Sequence, residues 1–565
     1  MNKRFVTVGG VAGAASVAAR LRRLDEEAII TMYEKGEHVS FSNCSLPYYL
    51  SGDIQDAMDL VLMDPDLFMS RYNIEAKTNH EVLSINRKDK TVRVKNLLSG
   101  METDEPYDKL FLSPGAKPVM PRVIEGIHLP HVFSVRNVGD IVAIKEYITE
   151  NVIQDIAVIG GGFIGIEMME SLHKAGKQVT VVEMADQVMM PFDLDMAQFL
   201  HKEIMDNGVD LILGDGIRSI HPDHVVLASG KQVKAGAVIM SIGVSPEILL
   251  AKEAGLEIGE TGGIKVNHHY QTSDPDIYAM GDAVEVTSFI TGKPTRLTLA
   301  GPAQKQARDA ADHVMGREVR QDGVIGSSVV RCFELNAAST GMNEKQLKKE
   351  NIPYQVSFVV AYDKVSLMPD AHPMFFKLLY ANPSGKLLGA QAIGQGNVDK
   401  RIDVVAAMIK MHGSLSDLKG LELSYSPLFG TAKDVVNHAA LNGLNLLNGE
   451  YQQVLMEDVR LLWEEGAFFL DVREEWEYSQ GHIKGALNIP LSGFRARLDE
   501  IPTDQKVYIY CRSGQRSYNM VRAMNNLGYR NVYNVAGSML AVSLHEYYWD
   551  KKLEREPIVT GYVFP

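Results

Sequence analysis

The hydrophobic pattern repeats one design twice. In "RFVTVGGVAGAASVAARLRRL…AIITMYEKG" an apolar run meets a glycine turn, then a helical period, then a second apolar run closing on an acid. "DIAVIGGGFIGIEMMESLHKAGKQVTVVEM" follows the same plan. Short apolar runs bounded by glycine read as buried parallel strands, so each stretch predicts a βαβ unit of roughly 30 residues. Further on, "KLFLSPGAKP" reads as a strand entering a turn, and "QTSDPDIYAMGDAVEV" as a strand ending at Gly281-Asp282. From about residue 325 to 440 the pattern changes. "VSFVVAY" and "FFKLLYA" are strand-like, "DKRIDVVAAMIKMHG" is helical, and "NHAALNGLNLLNGEYQQ" is a helix running into a polar linker. A new unit starts near 453, where strands "AFFLDVRE" and "KVYIYCRSG" alternate with helical "SYNMVRAMNNLG". Together these predict an α/β chain: two interleaved Rossmann-like nucleotide-binding domains, an α+β domain and a small C-terminal α/β domain.

The length, 565 residues, fits several cores rather than one. Hydrophobic residues make up 45% and charged residues 23%, as in ordinary globular proteins. A formal net charge of −14 argues against broad binding to nucleic acid or anionic membrane. No apolar stretch is long enough to span a bilayer, and the basic start lacks the apolar core of an export signal. Three cysteines make no disulfide framework and suit a reducing cytosol, so a cytoplasmic protein without metal is expected.

The second glycine turn carries the cleaner signature. Gly160, Gly162 and Gly165 fit G-x-G-x-x-G between a strand and a helix, where backbone can approach a pyrophosphate. Glu183 ends the next strand, where a carboxylate accepts from a ribose 2′-hydroxyl and repels a 2′-phosphate. NADH is therefore favoured, with NADPH as the alternative. The first turn, Gly9-Gly10-Val11-Ala12-Gly13, has looser spacing, with Glu34 placed for a ribose contact. Asp282, after a late strand, suits the ribityl or phosphate part of a flavin. Two dinucleotide folds in one chain then suggest bound FAD reduced by a diffusible nicotinamide. To the first nucleotide we also assign Lys35, Pro114, Gly115 and Gly281, and to the second Phe163, Glu167 and Gly243.

Cys44, in "HVSFSNCSLPYYLSG", has no second cysteine nearby. A sulfur bonded to it must come from a small molecule, or oxygen takes that place as a sulfenic acid. Ser40, Ser42 and Asn43 offer polar neighbours that a thiolate needs. Cys332, in "VVRCFEL", reads as a structural strand residue. Cys511 opens the loop Cys511-Arg512-Ser513-Gly514-Gln515-Arg516 between a strand and a helix. Its backbone N–H groups and two arginines suit an anionic persulfide.

The segments "SFSNCSLPYY", "VGGVAGAAS", "LSPGAKP", "IGGGFIGIEMME", "TSDPDIYAMGDA" and "DKRIDVVA" resemble coenzyme A-disulfide reductases, the single-cysteine branch of the FAD/NAD(P)H disulfide reductases, over residues 1–445. The resemblance implies tightly bound FAD, a mixed disulfide between Cys44 and coenzyme A, and a homodimer whose subunits complete each other's active sites. It implies coenzyme A contacts from Ser16, Arg23, Ser40 and Asn43, with Arg20 adding charge. Tyr425, in "LSYSPLFGTAKD", and Lys433 match residues that reach the other subunit's site, and Phe163 matches the aromatic that covers the flavin. Ser45, Leu367-Met368-Pro369 and Phe429 depart from the family pattern, the latter sites losing tyrosine hydroxyls. "LDVREEWEYSQGHIKGALNIP" and "CRSGQRS" resemble a single-domain rhodanese, in which Asp471, Arg473 and His482 hold the fold.

The expected domains are FAD-binding at 1–150 and 255–325, NAD-binding at 151–254, dimerisation at 326–445, a linker at 446–455 and rhodanese at 456–565. The expected activity is NADH-dependent reduction of coenzyme A disulfide, coenzyme A persulfide or polysulfide through Cys44, with sulfane sulfur carried by Cys511. Two rivals stay open. One is an NADH oxidase or peroxidase cycling Cys44 through sulfenic acid, although Val11-Ala12 stands where such peroxidases usually carry histidine. The other is a non-catalytic flavin redox sensor.

Overall fold

The computed structural model describes residues 2–319 and 323–565. The chain forms two compact units, residues 1–184 with 215–324, and residues 185–214 with 325–565.

The first unit carries both glycine turns. Its first sheet is parallel, in the order Ile277–Ala279, Lys109–Leu112, Arg4–Val8, Ile29–Tyr33, Glu75–Lys77. Helix α1 (Ala12–Leu24) buries Gly13, Ala14, Val17, Ala18 and Leu21, a single stripe at helical spacing. A short helix, α2 (Leu46–Ser51), follows the turn Asn43–Ser45 that holds Cys44. Within this unit a second parallel sheet runs Gln178–Glu183, Asp155–Ile159, Ala237–Met240, Val132–Ser134. Helix α3 (Phe163–Lys174) buries Gly165, Ile166, Met168, Met169 and Leu172. Parallel order brings both glycine turns to the carboxyl ends of their strands, where nucleotides bind in such sheets.

The second unit joins an antiparallel sheet to a parallel one. The antiparallel order is Ser327–Cys332, Leu335–Gly341, Leu387–Gly394, Pro373–Ala381, Tyr354–Tyr362. Helix α4 (Val435–Leu447) packs on it. The parallel order is Gln452–Val454, Val532–Val535, Val507–Tyr510, Phe468–Asp471, Leu487–Asn488. Helix α5 (Gln515–Asn526) lies on this second sheet.

Two boundaries differ from the expectation. The 446–455 segment is not a free linker: α4 runs to Leu447, and Gln452–Val454 is an edge strand. It is fastened to α5, where Arg522 meets the Glu450 carboxylate at 2.9 Å and Tyr451 packs edge-on against Tyr518 at 5.0 Å. Asn445 of α4 also donates to the Tyr518 hydroxyl at 2.8 Å. Residues 185–214, expected within the NAD-binding domain, group with the second unit. Charge explains this. Lys377 is wholly buried in its strand, and its Nζ lies 3.1 Å from Asp193, 2.8 Å from Asp195 and 2.5 Å from Glu344. Gln391 closes the cluster by donating to Asp193 at 2.6 Å. Among the described residues no helix is long and apolar enough to cross a membrane.

Candidate active site

The first glycine turn is built to admit backbone and nothing more. A Cβ on Gly9 would lie 2.2 Å from the Ser113 carbonyl oxygen, and one on Gly13 would lie 2.3 Å from Ser113 Oγ. Gly9 also needs a φ of +101°, a glycine conformation. Val11 starts α1 without a side-chain cap, so the helix N–H groups are left for an anion. Glu34 accepts from Gly36 N at 2.7 Å. Pro114 and Gly115 follow the Lys109–Leu112 strand, and Lys35 is exposed. Gly281 donates to Gln306 Oε1 at 2.7 Å, and the neighbouring half-buried Asp282 carboxylate has no hydrogen bond among the described residues. Burial pushes Asp282 above the usual carboxylate range. An open helix N-terminus, a glycine-lined approach and an unpaired half-buried acid fit a flavin dinucleotide.

The second turn is similar. A Cβ on Gly165 would lie 1.9 Å from the Gly160 carbonyl oxygen, whereas a Cβ on Gly162 meets nothing within 4 Å, the open side a pyrophosphate needs. Gly162 caps α3 with no side-chain bond. Glu183 accepts from Gly161 N at 2.7 Å and so turns toward the glycines. Gly243, at a φ of +105°, also faces open space. Phe163 and Glu167 occupy the first turns of α3.

Cys44 is exposed at the start of α2, and α2 packs against α3. The polar neighbours do not serve the sulfur in the chain by itself. Ser42 Oγ pairs with Ser45 Oγ at 2.8 Å, and Asn43 Nδ2 donates to the Arg136 carbonyl at 3.5 Å. Burial, then the charges of Glu167 and Asp282, raise the Cys44 thiol above its ordinary value. Among the described residues neither Ser42 nor Asn43 donates a side-chain hydrogen bond to the Cys44 sulfur. Burial and the neighbouring Glu170 push Glu167 up to about 7.

The arginines of α1 divide. Arg20 is paired with Asp312 at 2.6 Å, so its charge is taken. Arg22, which the sequence reading passed over, is buried and donates to the carbonyls of Tyr72, Asp25, Glu26, Ala28 and Asn73. Arg23 is exposed and lies 5.8 Å from the Tyr72 ring. Ser16 is half-buried one turn before Arg20.

In the second unit, Tyr425, Leu367 and Phe429 are 50%, 85% and 73% exposed. Lys433 is exposed just before α4. Cys511 is 1% exposed and its sulfur accepts from Gly514 N at 3.1 Å and Ser517 Oγ at 3.5 Å. Arg516 is shared between the sulfur loop and an acid. Glu477 grips it through two bonds of 2.6 and 2.7 Å. Arg512 has no ion-pair partner among the described residues. Gln515 reaches His438 of α4, whose buried imidazole is pushed down to about 4. Asp471 and Arg473 pair in the interior at 2.6 Å, His482 stacks on Tyr478 at 3.7 Å, and Cys332 is fully buried. Sequence reading had no signal for Ser113, Gln306 or Asp312, which meet the site only through the fold. Lys377 did leave one: a lysine inside "FFKLLYA".

Comparison with known proteins agrees with this geometry. Residues 3–307 match the pyridine nucleotide-disulphide oxidoreductase family, 327–434 its dimerisation domain, and 455–545 a rhodanese-like domain. Coenzyme A disulfide reductase of Staphylococcus epidermidis is 32% identical over 438 residues, covering 77% of this chain and 98% of the relative. The crystal structure of reduced Bacillus anthracis CoADR-RHD superposes with a TM-score of 0.94 at 44% identity, covering 96% of this chain and 98% of that one. The NAD-dependent persulfide reductase from A. fulgidus superposes at 0.90 with 32% identity, covering 95% and 99%. Such membership implies FAD and NAD(H) as cofactors. The chain belongs to the pyridine nucleotide-disulphide oxidoreductase family and ends in a rhodanese-like domain.

Proposed function

We propose that the protein is an NADH-dependent flavoprotein reductase of coenzyme A disulfide, coenzyme A persulfide or polysulfide, working as a homodimer. The observation that carries this is the exposed, unpartnered Cys44 beside two nucleotide turns, in a chain that also presents a rhodanese sulfur loop. When bound, FAD relays two electrons from NADH to a sulfur on Cys44. Gly9, Gly13 and Asp282 would hold that flavin, and Gly160, Gly162, Gly165 and Glu183 the nicotinamide dinucleotide. The Cys44 thiolate attacks a disulfide sulfur, forming a mixed disulfide and releasing one thiolate, or attacks the sulfane sulfur of a persulfide, forming a Cys44 persulfide and releasing the carrier thiolate. Arg23 and Ser16 bind the phosphates of coenzyme A, while Tyr425 and Lys433 serve the other subunit's Cys44. Cys511 carries sulfane sulfur as a persulfide, held by Gly514 N–H and Ser517, and hands it to the small-molecule thiol. The exposed apolar residues Leu367 and Phe429 are where the dimer packs.

The test is a panel of coenzyme A disulfide, coenzyme A persulfide, polysulfide, oxygen and hydrogen peroxide. Cys44→Ser should lose NADH consumption with every sulfur substrate. Cys511→Ser should lose thiosulfate sulfurtransfer and keep reduction of small persulfides. Rapid NADH consumption with oxygen or peroxide alone would favour the oxidase or peroxidase reading instead.

A further inference from the structure

The loop that carries Cys511 is steadied from outside its own sheet. We propose that Phe358, in the antiparallel sheet, is a positioning residue for sulfur transfer at Cys511, acting through the Gly537-Ser538 turn, an inference that rests on the reading of Cys511 as a sulfur carrier.

Gly537 and Ser538 both take left-handed backbone, with φ of +68° and +50°, where they open helix α6 (Ser538–Lys552). A serine rarely takes that conformation unless its surroundings hold it there. Ser538 is wholly buried. Its Oγ accepts from Cys511 N at 3.1 Å, donates to the Val535 carbonyl at 3.1 Å and lies 3.4 Å from Ser517 Oγ. Ser517 Oγ in turn reaches the Cys511 sulfur at 3.5 Å, beside the Gly514 N–H at 3.1 Å. The next two N–H groups of α6, from Met539 and Leu540, donate to the carbonyls of Cys511 and Arg512 at 3.1 and 3.0 Å. The backbone that bears the sulfur is thus fastened to this turn.

Phe358 presses on the turn. A Cβ on Gly537 would lie 2.6 Å from Phe358 Cε1 and 2.5 Å from Ala541 Cβ, so the ring fills the space a side chain would take. Phe358 is buried in the edge strand Tyr354–Tyr362. Successive strand residues face opposite ways. Ser357 faces α4 and donates to the Ala439 carbonyl at 2.8 Å, so Phe358 turns to the other face. Directly across the antiparallel register stands Lys377, anchored by Asp195 at 2.8 Å. The Val356 carbonyl accepts from Gln453 at 2.8 Å, which ties the same strand to the edge of the parallel sheet. The ring therefore bears on Gly537 from a braced strand. Without it the turn is free to relax toward ordinary φ, and Ser538 Oγ moves off the Cys511 N–H.

The chemistry makes that position count. The Cys511 thiolate attacks the outer sulfur of thiosulfate, forming Cys511–S–S⁻ and expelling sulfite. An acceptor nucleophile then takes the outer sulfur and returns the thiolate. Both steps need the attacking and leaving atoms aligned at one sulfur, so a displacement of about 1 Å costs up to about 100-fold in rate.

The experiment uses the flavin-loaded full chain, with thiosulfate as donor and cyanide as acceptor, and reads thiocyanate. Phe358→Ala should lower kcat by about tenfold or more, with KM for thiosulfate within about twofold. NADH consumption with coenzyme A disulfide should hold. Phe358→Leu refills most of the space and should recover most of the rate. Ser538→Ala removes the acceptor of the Cys511 N–H and should lose about tenfold by itself. Adding Phe358→Ala to it should cost no more than about twofold further, because both act through one turn. A Phe358→Ala enzyme within about twofold of the native kcat overturns the proposal. So does a loss that adds in full to that of Ser538→Ala, or one that NADH consumption shares. Should Phe358→Ala fail to fold, Phe358→Val takes its place in the same cycle and the same outcomes decide. Sulfurtransfer surviving Cys511→Ser would instead strike the carrier reading itself.

Discussion

Replacing Lys377 with methionine tests the ionic cluster that draws residues 185–214 into the second unit. Lys377 is fully buried, with its Nζ 2.5 Å from Glu344, 2.8 Å from Asp195 and 3.1 Å from Asp193. Tyr354 also donates to Glu344 at 2.6 Å. Methionine keeps most of the volume and removes the only buried cation among the described residues of the cluster, leaving three buried acids with the exposed Lys348, 3.8 Å from Glu344, as the remaining positive charge. Breaking a buried charge pair on one side costs about 3–5 kcal/mol. For a unit of this size that lowers the melting temperature by about 6–20 °C. The sign with pH follows from the carboxylates. In the native cluster burial raises Glu344, but Lys377 and Tyr354 pull it down further, so its stabilisation is present above its unfolded value and fades as pH falls, whereas Asp193 stays raised by burial and is itself relieved on acidification. In Lys377→Met the acids lose their buried cation and their values rise, so protonation relieves them as pH falls. The gap between variant and native melting temperatures should therefore narrow on acidification from neutral pH toward pH ~5. Differential scanning calorimetry across that range is the assay. A variant that melts within about 1 kcal/mol of the native protein, or a gap that widens on acidification, refutes the reasoning.

Two other substitutions separate the modules. Gly165→Ala drives a Cβ to 1.9 Å from the Gly160 carbonyl oxygen, so nicotinamide dinucleotide binding should weaken by about tenfold or more with flavin content unchanged; undiminished binding in a titration would contradict the fit of that turn. Glu477→Gln releases Arg516 from its two-bond grip beside the sulfur loop, so thiosulfate sulfurtransfer should fall about tenfold or more while NADH consumption with coenzyme A disulfide holds. Equal loss of both activities would mean the pair supports more than the loop.

Most of the architecture was legible in local pattern. Both glycine turns stand out because Gly9, Gly160 and Gly165 are required by contacts closer than any Cβ tolerates. The sulfur loop stands out because "CRSGQRS" joins a buried strand to a helix. What escaped was set by partners far apart in sequence. Arg20 was read as adding charge for coenzyme A, and its partner Asp312 lies 292 residues away. Arg516 was read as a charge for an anionic persulfide, and the fold also sets Glu477 against it. The polar residues around Cys44 suggested support for a thiolate, but Ser42 and Ser45 satisfy each other, and the carboxylates that govern the sulfur come from α3 and the Gly281–Ala283 turn. The linker reading failed because "NGEYQQ" is polar by composition, yet Glu450, Tyr451 and Gln453 all find partners across the fold.

The most direct measurement is intact mass and peptide mapping of the oxidised dimer after incubation with coenzyme A disulfide, before and after NADH. One coenzyme A per subunit, on Cys44 alone and released by NADH, is the predicted result. An adduct confined to another residue, or one on Cys44 that NADH leaves in place, would contradict the account.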